Sequence, residues 1–302
     1  MKNVLLDTDI GVDCDDAVAL ALLLKLEREG KCRILGVTVS TTREGASASV
    51  EAICRHYGTE KPIGVMRPPA LTCDRINAYS LAVKQKYHTD DVDRDAVDLM
   101  REKLAAADGP VTLIAIGPQT NVCRLLKSGA DGWSELDGKE LVRRKVDCLW
   151  VMGGSFKENY GAVGLNPSRP ICEWNIVQDV ASAQYVAENF PCETVFSPHE
   201  AGSRIFTVMR DEDSPVWYSM LKFAEYNAFP VKPDFLRESW DPVTCLAALE
   251  DCSDYFDISG YGSVSVAASG ETSFRAGDGR QRILLVKGGF SRLSDKLNAI
   301  IE

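Results

Sequence analysis

Five aspartates, Asp7, Asp9, Asp13, Asp15 and Asp16, crowd into ten residues near the start of the chain, within LLDTDIGVDCDDAVALALLLK. The apolar run Val4-Leu5-Leu6 precedes them, and Ala17 to Leu24, a run of good helix formers, follows. This pattern predicts strand, tight acidic loop and helix, with Gly11 letting the backbone turn. Like charges so close together repel one another in a partly buried loop. A hard divalent cation, which takes carboxylate oxygens, would relieve that repulsion. The helix N-terminus behind Asp15 and Asp16 also favours negative charge. A solvated acidic turn capping a helix is the plainer alternative. The position at a strand's carboxyl end, where open α/β sheets keep their ligands, favours a metal or polar-ligand site.

The rest of the chain alternates strands and helices. Residues 33–40, 62–65, 111–116, 146–152 and 194–197 read as further short buried strands. Helical spacing covers 46–57, much of 76–108 with Asp95 to Ala107 the clearer amphipathic part, a segment starting near Asn121, and Val243 to Leu249. Such alternation predicts an α/β fold, a mostly parallel central sheet with helices on both faces. One domain spanning 1–302 is expected, with the site at the strand carboxyl ends. Loops 7–16, 116–121, 153–175 and 197–202 would meet there, and insertions 155–172 and 197–242 would rim it.

Composition narrows the function classes. A formal net charge of −10 argues against a general nucleic-acid or anionic-membrane binder. No apolar run reaches the roughly 18–20 residues of a membrane span, and no charged leader opens the sequence, so a cytoplasmic protein is expected. The ten cysteines are scattered without a CxxC pair, and the three histidines have no zinc spacing. Cysteine chemistry is a weak reading.

Taken together, DTDIGVDCDDAVAL, VMGGS, CEWN and SWDP resemble the nucleoside hydrolase family, the enzymes called inosine-uridine preferring. The resemblance runs from residue 3 to about 290. It implies the fold above and hydrolysis of the N-glycosidic bond of ribonucleosides to ribose and free base, as in purine and pyrimidine salvage. It also implies Ca²⁺ as cofactor and a nucleoside as small-molecule partner, and a homodimer or homotetramer would be usual. Carried over by motif, Asp9, Asp16, Asp241 and the backbone carbonyl of Ile116 would hold the metal, with Asp9 also the base for water. Asp15, Glu173 and Asn175 would bind the ribose. Asn166 is the counterpart of an upstream asparagine, one residue off in spacing, and Glu200 matches an acid of related sequences. Asp7 is expected to orient the loop from behind, and Asp13 has no assignment.

The sequence departs from the family where many members have a histidine before the DP aspartate. Here that residue is Trp240, whose N–H can donate a hydrogen bond but not a proton near neutral pH. Trp240 could stack on the nucleobase instead. His88 and His199 are candidates for the missing acid only because histidines are scarce. The loop STTREG lacks the Gly-Asn pair that some members use. Two competing readings follow: a non-catalytic nucleoside or ribose binder, and a haloacid-dehalogenase-like phosphatase with Asp7 as nucleophile, Asp9 as acid and Mg²⁺ as metal.

Overall fold

The computed structural model describes residues 1–75, 78–229 and 236–302. Residues 76, 77 and 230–235, parts of the expected helical stretch 76–108 and of the insertion 197–242, lie outside the described residues.

The first half of the chain winds regularly between sheet and helices. Strand β1 (Lys2–Thr8) leads to helix α1 (Asp15–Arg28), then β2 (Cys32–Val39), α2 (Ala46–His56) and β3 (Ile63–Val65). After α3 (Ser80–Tyr87) and α4 (Ala96–Ala106) come β4 (Val111–Ala115), α5 (Thr120–Lys127), α6 (Gly138–Lys145) and β5 (Val146–Met152). Next are α7 (Trp174–Gln178), α8 (Val180–Asn189), β6 (Glu193–Ser197), α9 (His199–Gly202), β7 (Phe206–Thr207) and α10 (Pro215–Tyr226). The chain closes with β8 (Arg237–Glu238), α11 (Trp240–Leu249), β9 (Phe256–Ile258), β10 (Gly262–Val266), β11 (Thr272–Ala276), β12 (Gln281–Val286) and α12 (Phe290–Ile301).

Among the described strands the main sheet runs β3-β2-β1-β4-β5-β6-β12 in parallel, then β10 and β11 antiparallel, with β9 antiparallel to β12. Alternate residues of β1 feed different cores. Val4 and Leu6 pack with α1, α2 and α11, whereas Leu5 packs with residues of α4, α5 and β4. This period of two explains why the central strands are apolar on both faces. The chain goes outward from β1 to β2 and β3, then returns to β4 on the other side of β1. The strand order therefore reverses between β1 and β4, where a crevice opens at the carboxyl ends.

The expected strands and most expected helices are present. Within 78–108 the chain forms two helices rather than one. Helix α3 ends at Tyr87, His88 takes a left-handed φ of 52°, and Asp95 caps α4 by accepting from the N–H groups of Val97 and Asp98. The antiparallel edge β9–β12 carries no expectation from sequence, because β10 and β11 are half-exposed and rich in serine, threonine and glycine. Among the described residues no helix is long and apolar enough to cross a membrane.

Candidate active site

The acidic loop leaves β1 after Thr8 and enters α1 at Asp15. Gly11 makes this possible with φ +111°, and a Cβ there would meet Ser80 Cβ at 2.8 Å. Its N–H donates to Tyr79 Oη at 3.0 Å, which fastens the loop to the chain before α3. Asp15 and Asp16 thus occupy the first turn of α1, and Asp241 occupies the first turn of α11, which packs against α1. Two helix N-termini, each favouring negative charge, deliver these carboxylates to one place.

One carboxylate oxygen from each of Asp15, Asp16 and Asp241 lies within 4.8 Å of the others, and all three residues are buried. Asp15 Oδ2 accepts the backbone N–H of Asp241 at 3.1 Å, and Asp16 accepts from the Thr8 hydroxyl. Burial, and next a neighbouring like charge (Asp13 on Asp15, Asp9 on Asp16, Asp15 on Asp241), push all three pKa values far above the ordinary carboxylate range. Asp9 adjoins the cluster and is the strongest like charge on Asp16; its own pKa is pushed up to about 8, first by burial and next by Asp13.

These groups line a cavity of about 330 Å³, within the usual range for small-molecule sites. Ile116, just past the end of β4, and Met152, at the end of β5, line it as well. Glu173 caps α7, accepting from the N–H groups of Asn175 at 2.8 Å and Ile176 at 3.2 Å. Burial raises its pKa to about 7. Asn175 Nδ2 donates to the Ile116 carbonyl at 3.0 Å and reaches the Met152 carbonyl at 3.3 Å. Gly117 is packed so closely that a Cβ would stand 2.8 Å from both the N and Oδ1 of Asp9.

The donor set fits a hard divalent cation. It is made of the carboxylates of Asp15, Asp16 and Asp241, all buried, with their charge poorly compensated from within. Arg237 is the only lysine or arginine among the described residues lining the cavity. It pairs with Asp13, the aspartate without an assignment from sequence: Arg237 Nε donates to Asp13 Oδ1 at 2.9 Å and Nη2 donates to Oδ2.

The structure brings Asp9, Asp15, Asp16, Ile116, Glu173, Asn175, Trp240 and Asp241 to this cavity. It does not bring Asn166 there: that residue is exposed in the loop after Gly164. Glu200 is fully buried behind the wall, where it accepts from the Ser155 hydroxyl and the Phe156 N–H. Asp7 is also fully buried outside the cavity lining, accepting from Thr38 Oγ1 at 2.6 Å and Asn121 Nδ2 at 2.8 Å. That position suits a residue that orients the loop and leaves a phosphatase nucleophile at Asp7 without access. His88 is exposed at the end of α3, while His199 lines the cavity and stacks with Trp240, ring centroids 5.5 Å apart. Trp240 Nε1 donates to the His199 carbonyl at 2.8 Å. Phe223 and Arg237 also line the cavity without any sequence signal, because the folding of α10 and β8 alone carries them there.

Comparison with known proteins bears on family and fold. A sequence model of the family described as inosine-uridine preferring nucleoside hydrolase matches residues 4–284. A pyrimidine-specific ribonucleoside hydrolase RihA from Enterobacter sp. (strain 638) is 37% identical over 94 residues, which is 31% of this chain and 25% of that enzyme. The matched stretch thus spans a quarter of that relative's length. Among solved structures, the inosine-uridine preferring nucleoside hydrolase from Bacillus anthracis superposes with TM-score 0.67 at 19% identity, covering 100% of this chain and 99% of that one. The effector protein XOO4466 superposes with TM-score 0.73 at 18% identity, covering 99% and 93%. These likenesses at low identity concern the fold; the family match over nearly the whole chain decides membership. The chain belongs to the inosine-uridine preferring nucleoside hydrolase family.

Proposed function

We propose that this protein is a calcium-dependent ribonucleoside hydrolase, which breaks the bond between ribose C1′ and a nucleobase nitrogen and releases ribose and the free base. The observation that carries the reading is the meeting of Asp15, Asp16 and Asp241, from two distant helix starts, in one buried cavity with Asp9, Glu173 and Asn175. Asp16 and Asp241, grouped with Asp15, supply donors to the cation, and the family resemblance adds Asp9 and the Ile116 carbonyl. A bound Ca²⁺ would neutralise the carboxylates and ease deprotonation of water at neutral pH.

The chain's own groups do the rest. Asp9 accepts the proton of the attacking water. Asp15, Glu173 and Asn175 hold the ribose hydroxyls, and Asn166 would join them only if its loop approached. Negative charge around the ring favours the positive, oxocarbenium-like sugar that forms as the base departs. Trp240 contributes an aromatic wall on the side of the base.

The test is turnover of uridine, inosine and p-nitrophenyl riboside with calcium added and with chelator. Activity that needs calcium and disappears in Asp9→Asn, while the fold persists, is the expected result. Wild-type turnover in Asp9→Asn would sink the mechanism. A binder without turnover is the second reading, favoured by the engagement of the Trp240 N–H with a backbone carbonyl. Ribose binding with no hydrolysis of any of the three compounds would establish it.

A further inference from the structure

Neither Trp240 nor His199 offers a ready acid for a departing base. The Trp240 N–H is bonded to the His199 carbonyl at 2.8 Å. Burial lowers the pKa of His199 below 6.5, which leaves its ring uncharged at neutral pH, and its buried Nδ1 has no hydrogen-bond partner among the described groups. What the cavity does hold is a fixed cation. The Arg237 guanidinium lies 4.9 Å from the Trp240 ring and 5.0 Å from the Phe223 ring. Nε and Nη2 each donate to Asp13, and Nη1 donates to Glu238 Oε2 at 2.6 Å. These bonds engage three of the five guanidinium N–H groups, so one remains on each terminal nitrogen. The Asp13 and Glu238 side chains are 33% and 34% exposed, where water weakens their hold on the charge, whereas Arg237 is 15% exposed.

Resting on the hydrolase reading, we propose that Arg237 is a catalytic residue for the leaving group, stabilising the departing nucleobase as an anion in place of a general acid. As the C1′–N bond breaks, its electron pair stays with the base nitrogen and the charge spreads to the carbonyl oxygen of the base. The two remaining guanidinium N–H groups donate to that oxygen. Water oxygen forms the new bond to C1′, its proton passes to Asp9, and the base anion takes a proton from solvent after release. One proton leaves through Asp9 and one is taken up, so ribonucleoside and water give ribose and neutral base. Arginine keeps its own proton throughout, since its pKa exceeds 12.

A guanidinium that merely ties Asp13 in place would affect every substrate alike, and this separates the two roles. Wild type, Arg237→Gln and Arg237→Lys are compared by kcat/KM on uridine and on ribosides of phenols of graded acidity, ending with p-nitrophenyl riboside. Arg237→Gln is expected to lose about 100-fold on uridine and less than about tenfold on p-nitrophenyl riboside, as for loss of one charge-stabilising donor. The dependence of rate on leaving-group acidity then steepens. Arg237→Lys falls between the two, because it keeps the charge without the planar fork. An equal fractional loss on all ribosides in either variant overturns the proposal, so the lysine variant decides the matter if the glutamine variant does not fold. A wild-type enzyme that cleaves no riboside overturns the hydrolase reading itself.

Discussion

Asp15 Oδ2 accepts the backbone N–H of Asp241 at 3.1 Å across 226 residues of sequence. This one bond joins the starts of α1 and α11 and sets the spacing of the carboxylate cluster. Calcium should therefore raise the unfolding temperature reversibly, because binding to the folded state alone adds about 2.7 kcal/mol at a hundredfold excess over Kd. Asp241→Asn should lose most of that shift. Without metal it should be at least as stable as wild type, since the carboxyl it removes is held well above its ordinary pKa in the folded chain, which costs stability at neutral pH. Thermal unfolding of both proteins in calcium and in chelator decides this; an undiminished calcium shift in the variant would remove Asp241 from the metal site.

Gly117→Ala places a methyl group 2.8 Å from Asp9 N and Oδ1 and 2.6 Å from Ser40 Oγ. Asp9 must move, and displacement of a reacting group by about 1 Å costs on the order of 100-fold in rate. Stability should fall by about 1–3 kcal/mol from the crowding. Kinetics and urea denaturation measure the two effects separately, and full activity in the alanine variant would mean that Asp9 is not held where the geometry puts it.

Glu200 sits behind the wall, bonded to Ser155 and Phe156. Glu200→Ala leaves that hydroxyl and that N–H without their acceptor, at a cost of about 1–3 kcal/mol in stability. Denaturation should register this loss. The ratio of kcat/KM between uridine and inosine should stay put, and a changed ratio would show that Glu200 reaches the substrate.

His199 gives a pH signature with a definite sign. Its folded pKa lies below the unfolded value near 6.5 because burial disfavours the charged ring, Glu238 opposing the shift. Between the two values the unfolded chain binds more protons, so the contribution is complete above pH 6.5 and lost as pH falls through the window beneath it. His199→Phe should lose less stability than wild type between pH 7.5 and 5.5. Parallel pH dependences from denaturation at the two pH values would contradict the burial of an uncharged ring.

Much of this architecture was legible from local pattern. The runs at 33–40, 111–116 and 146–152 are apolar on both faces, and that signature of a parallel strand needs no tertiary context. Failure came where local signals compete. The helical spacing across 76–108 stood out over 95–107, where α4 forms, but concealed the left-handed break at His88. The edge strands β10 and β11 face solvent on alternate residues, and their serine and threonine content read as loop. Within the site, Glu173 and Asn175 stood out because CEWN is a dense motif, whereas Arg237 lies in a sequence with no motif of its own.

By itself the sequence determined the strand-loop-helix unit that carries the aspartates, the α/β class and the family, because charge density and hydrophobic period act over a few residues. Only the tertiary structure decided where the unassigned groups go: Asp13, in the middle of the acidic loop, turns to a cation 224 residues away. It also withdrew Glu200 from the cavity and left Asn166 at the surface. The physical reason is that burial and partner choice depend on how α1, α11 and β8 pack around the point where strand order reverses, and no local pattern encodes that packing.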